Sequence, residues 1–390
     1  MTPVRVPVTG AILKWARERF RLTEDDLKKT FPLLWRWETG DVQPTLKQLE
    51  QYARRTHAPI GYFFLPEPPR ERLPIPDFRT NTSKRLESAS ADLLDTIYLC
   101  QQRQDWYREH VGSDAENSLP FAGSIVPESN VVVAATTIRN QLELDLDSRR
   151  SVRTWEEALS AMVFQAEELG VLVMRNGVVG NNTHRTLDRD EFRGFALSDS
   201  IAPLVFINAA DSKSGQMFTL AHELVHIFAA RSGVSDASPR QIANLASERW
   251  CNEVAAEVLV PLTAFRETYD PKADLQLELL RLARQFKVST LVVLRRMYDA
   301  GGFAKKTFWT AYEAELARLK LVNSTKDTGG NFHATEAVRV SKRFATALVA
   351  SMLESLTLYR DAFRLLSISK QETFNEFGAS LGVIASRHLT

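Results

Sequence analysis

Between Gln216 and Ala230 the chain carries a mostly apolar run with neither Gly nor Pro, and His222, Glu223 and His226 are embedded in it. Such a run reads as one helix, and apolar residues on every side of it predict burial. A second helical pattern covers 246–260, with Trp250, Cys251, Val254, Ala255, Val258 and Leu259 at helical spacing and Pro261 as its stop. The Gly-, Ser- and Pro-containing stretch 231–239 between the two reads as a loop. Ahead of the first helix, an amphipathic pattern over 155–169 closed by Gly170 predicts a helix. The β-branched and aromatic runs 171–174, 192–197 and 203–208 predict strands.

The flanks are helical in pattern. Helices are expected over 11–20, over 46–56, and after Thr23, an N-cap followed by Glu24, Asp25 and Asp26. Further helices are expected over 88–109, 275–286 and 289–300, the last stopped by Gly301-Gly302. A proline-dense spacer at 66–80, laid over the next domain, a loop at 114–129 and a polar linker at 323–331 punctuate the chain. The last part reads as helices over 335–355, 359–366 and 371–377. These breaks predict four segments: a helical domain at 1–65, a Pro-rich linker and helical connector at 66–150, a sheet-containing domain at 151–302, and a helical domain at 303–390.

Composition adds limits. A chain of 390 residues exceeds what one core usually serves. Hydrophobic residues make up 44% and charged residues 25%, as in ordinary globular proteins. The net charge of +1 gives no global attraction to nucleic acid or membrane, so any DNA contact must come from a local patch. Two cysteines, Cys100 and Cys251, form no disulfide framework and no Cys-x-x-Cys motif. With no membrane-length apolar run and no export signal, a reducing cytoplasm is the expected location.

The chemistry sits in His222-Glu223-Leu224-Val225-His226. Residues four apart share a helix face, so both imidazoles can reach one ion, while Glu223 is displaced round the helix and can act on a water. Burying these groups among apolar neighbours without a partner costs several kcal/mol, and a divalent cation removes that cost. Catalytic zinc takes three protein ligands. No other histidine lies in a helical context close downstream, so the second helix is the place to look. Glu248 stands 22 residues after His226, with Asn252 four residues on as a candidate outer-shell partner. Glu253 and Glu257 are competitors that read better as solvated helix carboxylates, and Cys251 reads as a small buried hydrophobe. Arg193 and His184 read as surface or loop residues rather than oxyanion donors.

The pair of segments 218–226 and 248–261 resembles the ImmA/IrrE family of metallopeptidases. The resemblance implies zinc held by His222, His226 and Glu248, with Glu223 as general base, in an HExxH…E hydrolase. It also implies an α+β, zincin-like metallopeptidase domain, a small mixed sheet plus active-site helices, flanked by helical amino- and carboxy-terminal domains. Trp37-Glu38-Thr39-Gly40 followed by Pro44-Thr45 resembles the region after the recognition helix of XRE-type helix-turn-helix domains. Here the span from Leu27 to Trp37 is short for a turn plus recognition helix, Pro32 falls inside it, and Leu34, Trp35 and Trp37 read as packing residues.

Family peptidases typically cut an XRE-type repressor, so a zinc endopeptidase acting on such a protein in a mobile-element or stress-response operon is the expectation. Proteins joining an XRE-like segment to this domain also resemble antitoxins paired with a small toxin, often PIN-like. That alternative makes the chain a regulatory binding protein of a toxin-antitoxin pair, with DNA as a further partner.

Overall fold

The structure is a computed structural model that describes residues 4–78, 89–112, 115–235, 246–323 and 337–384. They divide into two compact units, one within Met1–Pro74 and Ser83–Ile97, the other within Ile75–Thr82 and Tyr98–Thr390.

The first unit is built from α1 (Gly10–Arg19), α2 (Glu24–Lys28), α3 (Leu34–Glu38), α4 (Leu46–Thr56) and a 3-10 turn at Ile60–Phe64. Thr23 and Thr45 each close a capping box, with Asp26 and Gln48 as reciprocal partners, which fixes where α2 and α4 begin. Ile12, Leu13, Leu27, Trp37, Leu49 and Tyr52 form the core. Glu38, at the end of α3, is clamped by Arg17 through two bonds of 2.9 and 3.1 Å. Gly10 lets α1 start against that same helix end, since a Cβ there would lie 1.9 Å from the Glu38 carbonyl oxygen. Leu34 and Trp37 are packing residues as expected, but Trp35 is 55% exposed and carries the Arg36 guanidinium over its ring at 5.9 Å. With only five residues in α3, the side chain one position from each core anchor has to face outward.

In the second unit, α5 (Ala91–Val111, which enters it at Tyr98) is followed by α6 (Val131–Gln141), α7 (Leu146–Ser151) and α8 (Trp155–Leu169). Next come β1 (Leu172–Asn176), a hairpin of β2 (Val178–Val179) and β3 (Asn182–Thr186), then β4 (Gly194–Leu197) and β5 (Leu204–Asn208). After α9 (Lys213–Phe228) and β6 (Gly233–Ser235) follow α10 (Ala246–Leu259), α11 (Leu262–Thr268), α12 (Leu275–Phe286), α13 (Thr290–Asp299) and α14 (Lys305–Asn323). Short helices at Lys342–Leu353, Tyr359–Leu366 and Gln371–Ser380 complete it. The architecture is α+β, with many helices round one small mixed sheet. Among the described residues no helix is long and apolar enough to cross a membrane.

The sheet has the order β1-β5-β4-β6, parallel between β1 and β5 and antiparallel elsewhere. The two faces of the sheet have separate partners. Val173, Ala196, Val205 and Ile207 join the core that contains α9. On the opposite face the Phe195 and Phe206 rings stack at 4.9 Å, and Met174 meets Cys100 of α5. Side-chain alternation along the strands then puts Gly194, Gly233 and Ser235 on the α9 face, because Gly194 pairs with Ser235 and Ala196 with Gly233.

The stretch 231–239, expected to be loop, is therefore strand over Gly233–Ser235. Three residues are too few to show a period, and their pairing comes from β4, distant in sequence. Residues 236–239 of that loop, residues 79–80 of the proline-dense spacer, residue 114 of the expected 114–129 loop and all but the first residue of the 323–331 linker lie outside the described residues, as do His333 and His388. The described part of 114–129 is not all loop, since a 3-10 turn occupies Ala115–Asn117.

The Arg17–Glu38 clamp generates a testable expectation. Arg17→Ala leaves a carboxylate with 11% side-chain exposure unpaired. It should cost about 3 kcal/mol of unfolding free energy, read as a lower urea midpoint for unfolding followed by far-UV circular dichroism.

Candidate metal centre

Every residue of α9 from Gln216 to Phe228 is buried, so the helix has no solvated face. Its polar side chains must find partners inside the protein. Ser212 caps the helix by accepting from the Gly215 amide, which sets its start. From that start His222 and His226 fall on one face, towards α10, and Glu223 falls towards β4 and β6.

The helix α10 packs along α9 and presents Glu248 in its first turn, where a carboxylate is favoured by the helix dipole. Three ligand atoms converge. The Nε2 atoms of His222 and His226 lie 3.1 Å apart, His222 Nε2 lies 3.2 Å from Glu248 Oε2, and His226 Nε2 lies 3.4 Å from Glu248 Oε1. No other group of three such side chains appears among the described residues.

A tetrahedral ion with bonds of roughly 2.0–2.1 Å needs ligand atoms about 3.3 Å apart, and the spacing of the two imidazole nitrogens and the approach of each to one oxygen of the Glu248 carboxylate are of that length. Two imidazole nitrogens and a carboxylate oxygen are also the donor set that zinc takes. Without a cation, two imidazole nitrogens face each other at hydrogen-bond distance while both rings are fully buried. The residues fit the group.

The electrostatics point the same way. Burial works against ionising Glu248, yet hydrogen bonds from both imidazoles outweigh it and hold the carboxyl well below the usual range. Burial lowers His226, while at His222 the Glu248 partner overcomes burial and raises the ring's basicity. Asn252, one turn beyond Glu248 and 7% exposed, also supports His222. Apart from that approach, neither its amide oxygen nor His222 Nδ1 has a hydrogen-bond partner.

Glu223 is arranged differently. Its Oε1 accepts from the Ser235 hydroxyl on β6, and its buried Oε2 has no partner. Gly194 on β4 makes the room: a Cβ there would lie 2.6 Å from the Thr219 methyl and 3.2 Å from Glu223 Oε1. Burial pushes the Glu223 carboxyl up to about 8, and the neighbouring His222 and Ser235 offset only part of that. A positive charge placed among the triad would favour its ionised form.

The competing residues are accounted for. Glu257 is not solvated: it is 7% exposed, pairs with Arg296 of α13 at 3.0 Å and accepts from the Leu262 amide. Glu253 is half-buried and lies 3.9 Å from Arg295. Burial pushes the Cys251 thiol well above its usual range, which keeps it a neutral core group. His184 is exposed on the β2–β3 hairpin, and Arg193 pairs with Asp211 at 2.9 Å. Nothing in the sequence marks Ser235, a lone serine in an expected loop, or Gly194, a glycine before Phe195. Phe78 was equally silent. Its ring stacks on His226 at 5.7 Å with an interplanar angle of 6°.

A consequence for stability follows from Glu223. In the metal-free chain its carboxyl is protonated up to about pH 8, whereas the unfolded group has lost its proton above 4.5. Between those values the folded state binds the extra proton, so stability falls as pH rises. Calorimetry of the metal-free chain from pH 5 to 8 should show a declining Tm, and Glu223→Gln should flatten the slope.

Two stretches match known family models. Residues 340–380, spanning the last three helices, match a domain of unknown function. No curated protein matches the chain. Residues 166–298 match the model of the IrrE N-terminal-like domain, peptidase family M78. That stretch begins in α8, ends in α13 and contains His222, Glu223, His226, Glu248 and Asn252, so the part of the chain that holds the site is similar to a metallopeptidase-type ImmA/IrrE domain.

Proposed function

We propose that the chain is a zinc-dependent endopeptidase of the HExxH…E type that cleaves one specific protein, an XRE-type transcriptional repressor, and so switches on the operon that repressor controls. The observation that carries the reading is the triangle of His222, His226 and Glu248 beside a glutamate with one oxygen tied and one free. The match of 166–298 to a peptidase family supports it.

His222 and His226 would hold the ion through Nε2 and Glu248 through its carboxylate, with Asn252 steadying His222. Zinc supplies Lewis acidity, making a water ionisable near neutral pH and polarising a scissile carbonyl. Glu223 Oε2 is placed to take a proton from the attacking water and to hand it to the departing amine nitrogen as the carbon–nitrogen bond breaks. Ser235, by holding Oε1, leaves Oε2 as the only basic atom of that carboxylate.

Burial of the whole set supports a narrow target. His222, Glu223 and His226 are at 0% exposure and Glu248 at 4%, so a peptide reaches them only where what covers them moves aside. The XRE-type target itself rests on the family resemblance and on the helical unit that precedes the peptidase-like stretch.

Co-expression with a candidate XRE-type repressor tests the reading. The wild-type chain should cut the repressor once, and Glu223→Gln should lose about 10²–10⁴-fold in rate while retaining near one zinc per chain by elemental analysis. Glu248→Ala should lose the metal. A partner that the wild-type chain binds without ever cutting would favour the antitoxin-like function instead.

A further inference from the structure

The sheet does not end on an open edge at β6. Residues 76–78 of the proline-dense segment lie along it, bridging in parallel with Asp77 opposite Val234. The Phe78 amide donates to the Val234 carbonyl at 2.9 Å, and the Val234 amide donates to the Pro76 carbonyl at 2.9 Å. An edge strand beside an active-site helix is where an extended polypeptide can pair by backbone bonds alone. That place is taken by the chain itself.

The side chains make the seat specific. Gly233 lies on the α9 face of β6, and a Cβ there would lie 2.2 Å from the Phe78 ring. The glycine thus opens a socket for that ring. One wall is the His226 imidazole, stacked almost parallel, and the Arg231 guanidinium lies 5.4 Å from the ring centre. Pro76 and Asp77 are exposed and Phe78 is half-buried, so the segment is a surface strip over a buried centre. With two backbone bonds and one ring among its contacts, so short a strip can leave without unfolding the core.

We propose that Pro76–Phe78 is a built-in occupant of the peptide-binding edge. It keeps the metal centre closed until a partner segment displaces it, and the segment that replaces it presents an aromatic side chain to the Gly233 socket. The functional meaning rests on the peptidase reading, but the occupancy itself does not. Self-blocking also explains how a protease acting on one target avoids cutting others: the tethered segment competes at a high effective concentration that a random peptide cannot match.

Two full-length variants separate ring from backbone. Phe78→Ala removes the ring and keeps the N–H; Phe78→Pro removes both. With zinc-loaded chains, transfer of zinc to a chromophoric chelator should speed up several-fold in Phe78→Ala and at least about tenfold in Phe78→Pro. Thermal melting of the zinc-free chains should stay close to wild type. Release rates within about twofold of wild type in both variants would overturn the proposal. If neither wild type nor variants take up zinc, the peptidase reading fails, and the occupancy is then read by hydrogen exchange. The Val234 amide should exchange at least about tenfold faster in Phe78→Pro than in wild type; equal exchange would sink the proposal independently of any metal.

Discussion

The structure depends on one constraint: two imidazoles and two carboxylates are packed where water does not reach. Charged groups in such a place need a compensating charge or a proton, and the geometry shows which group uses which. Glu248 stays ionised because two imidazoles hold it, one at each carboxylate oxygen, and the three side chains converge closely enough that they could hold a cation. Glu223 sits outside that triangle and is the group that burial protonates in the bare chain. Much of the fold follows. The α9 helix is buried all round from Gln216 to Phe228, α10 returns along it to present Glu248, and β4 carries no side chain at Gly194, which makes room for Glu223.

How much of this could be read from sequence depended on whether the signal was local. Helices Trp155–Leu169, Leu275–Phe286 and Leu46–Thr56 begin and end where expected, because Thr154, Asp274 and Thr45 cap them and Gly170, Lys287 and His57 close them in the left-handed conformation. The three sheet strands fell within a residue or two of their places, being continuous β-branched and aromatic runs. In contrast, β6 and the Val178–Thr186 hairpin carry no such runs and owe their form to pairing. The helix at Val131–Gln141 begins with three valines, whose own preference is extended; Asn130 caps it, and packing against α10 decides the outcome.

At the site, the HExxH spacing itself put both imidazoles on one face, which is a property of any helix. Choosing among Glu248, Glu253 and Glu257 was harder, since all three lie on one helix and differ only in the face they use. The structure resolves the choice through a partner that periodicity does not show: Arg296, on α13, takes Glu257 into a buried ion pair. Glu257 is therefore spoken for by α13, Glu253 lies half-buried 3.9 Å from Arg295 of the same helix, and Glu248 is the carboxylate that meets the two imidazoles at 3.2 and 3.4 Å.

The short strand β6 joins these strands of argument. Its three residues divide their work by the two-residue alternation of a strand. Ser235 faces α9 and fixes one oxygen of Glu223, Gly233 faces the same way and admits the Phe78 ring beside His226, and Val234 turns to the opposite face while its backbone pairs with Pro76 and Phe78. Whatever occupies the outer edge of β6 is thus one residue removed from the hydroxyl that holds Glu223. A shift of β6 by one register position would carry Ser235 to the opposite face and leave Glu223 with neither oxygen tied, so the pairing with β4 that fixes the register also fixes Glu223.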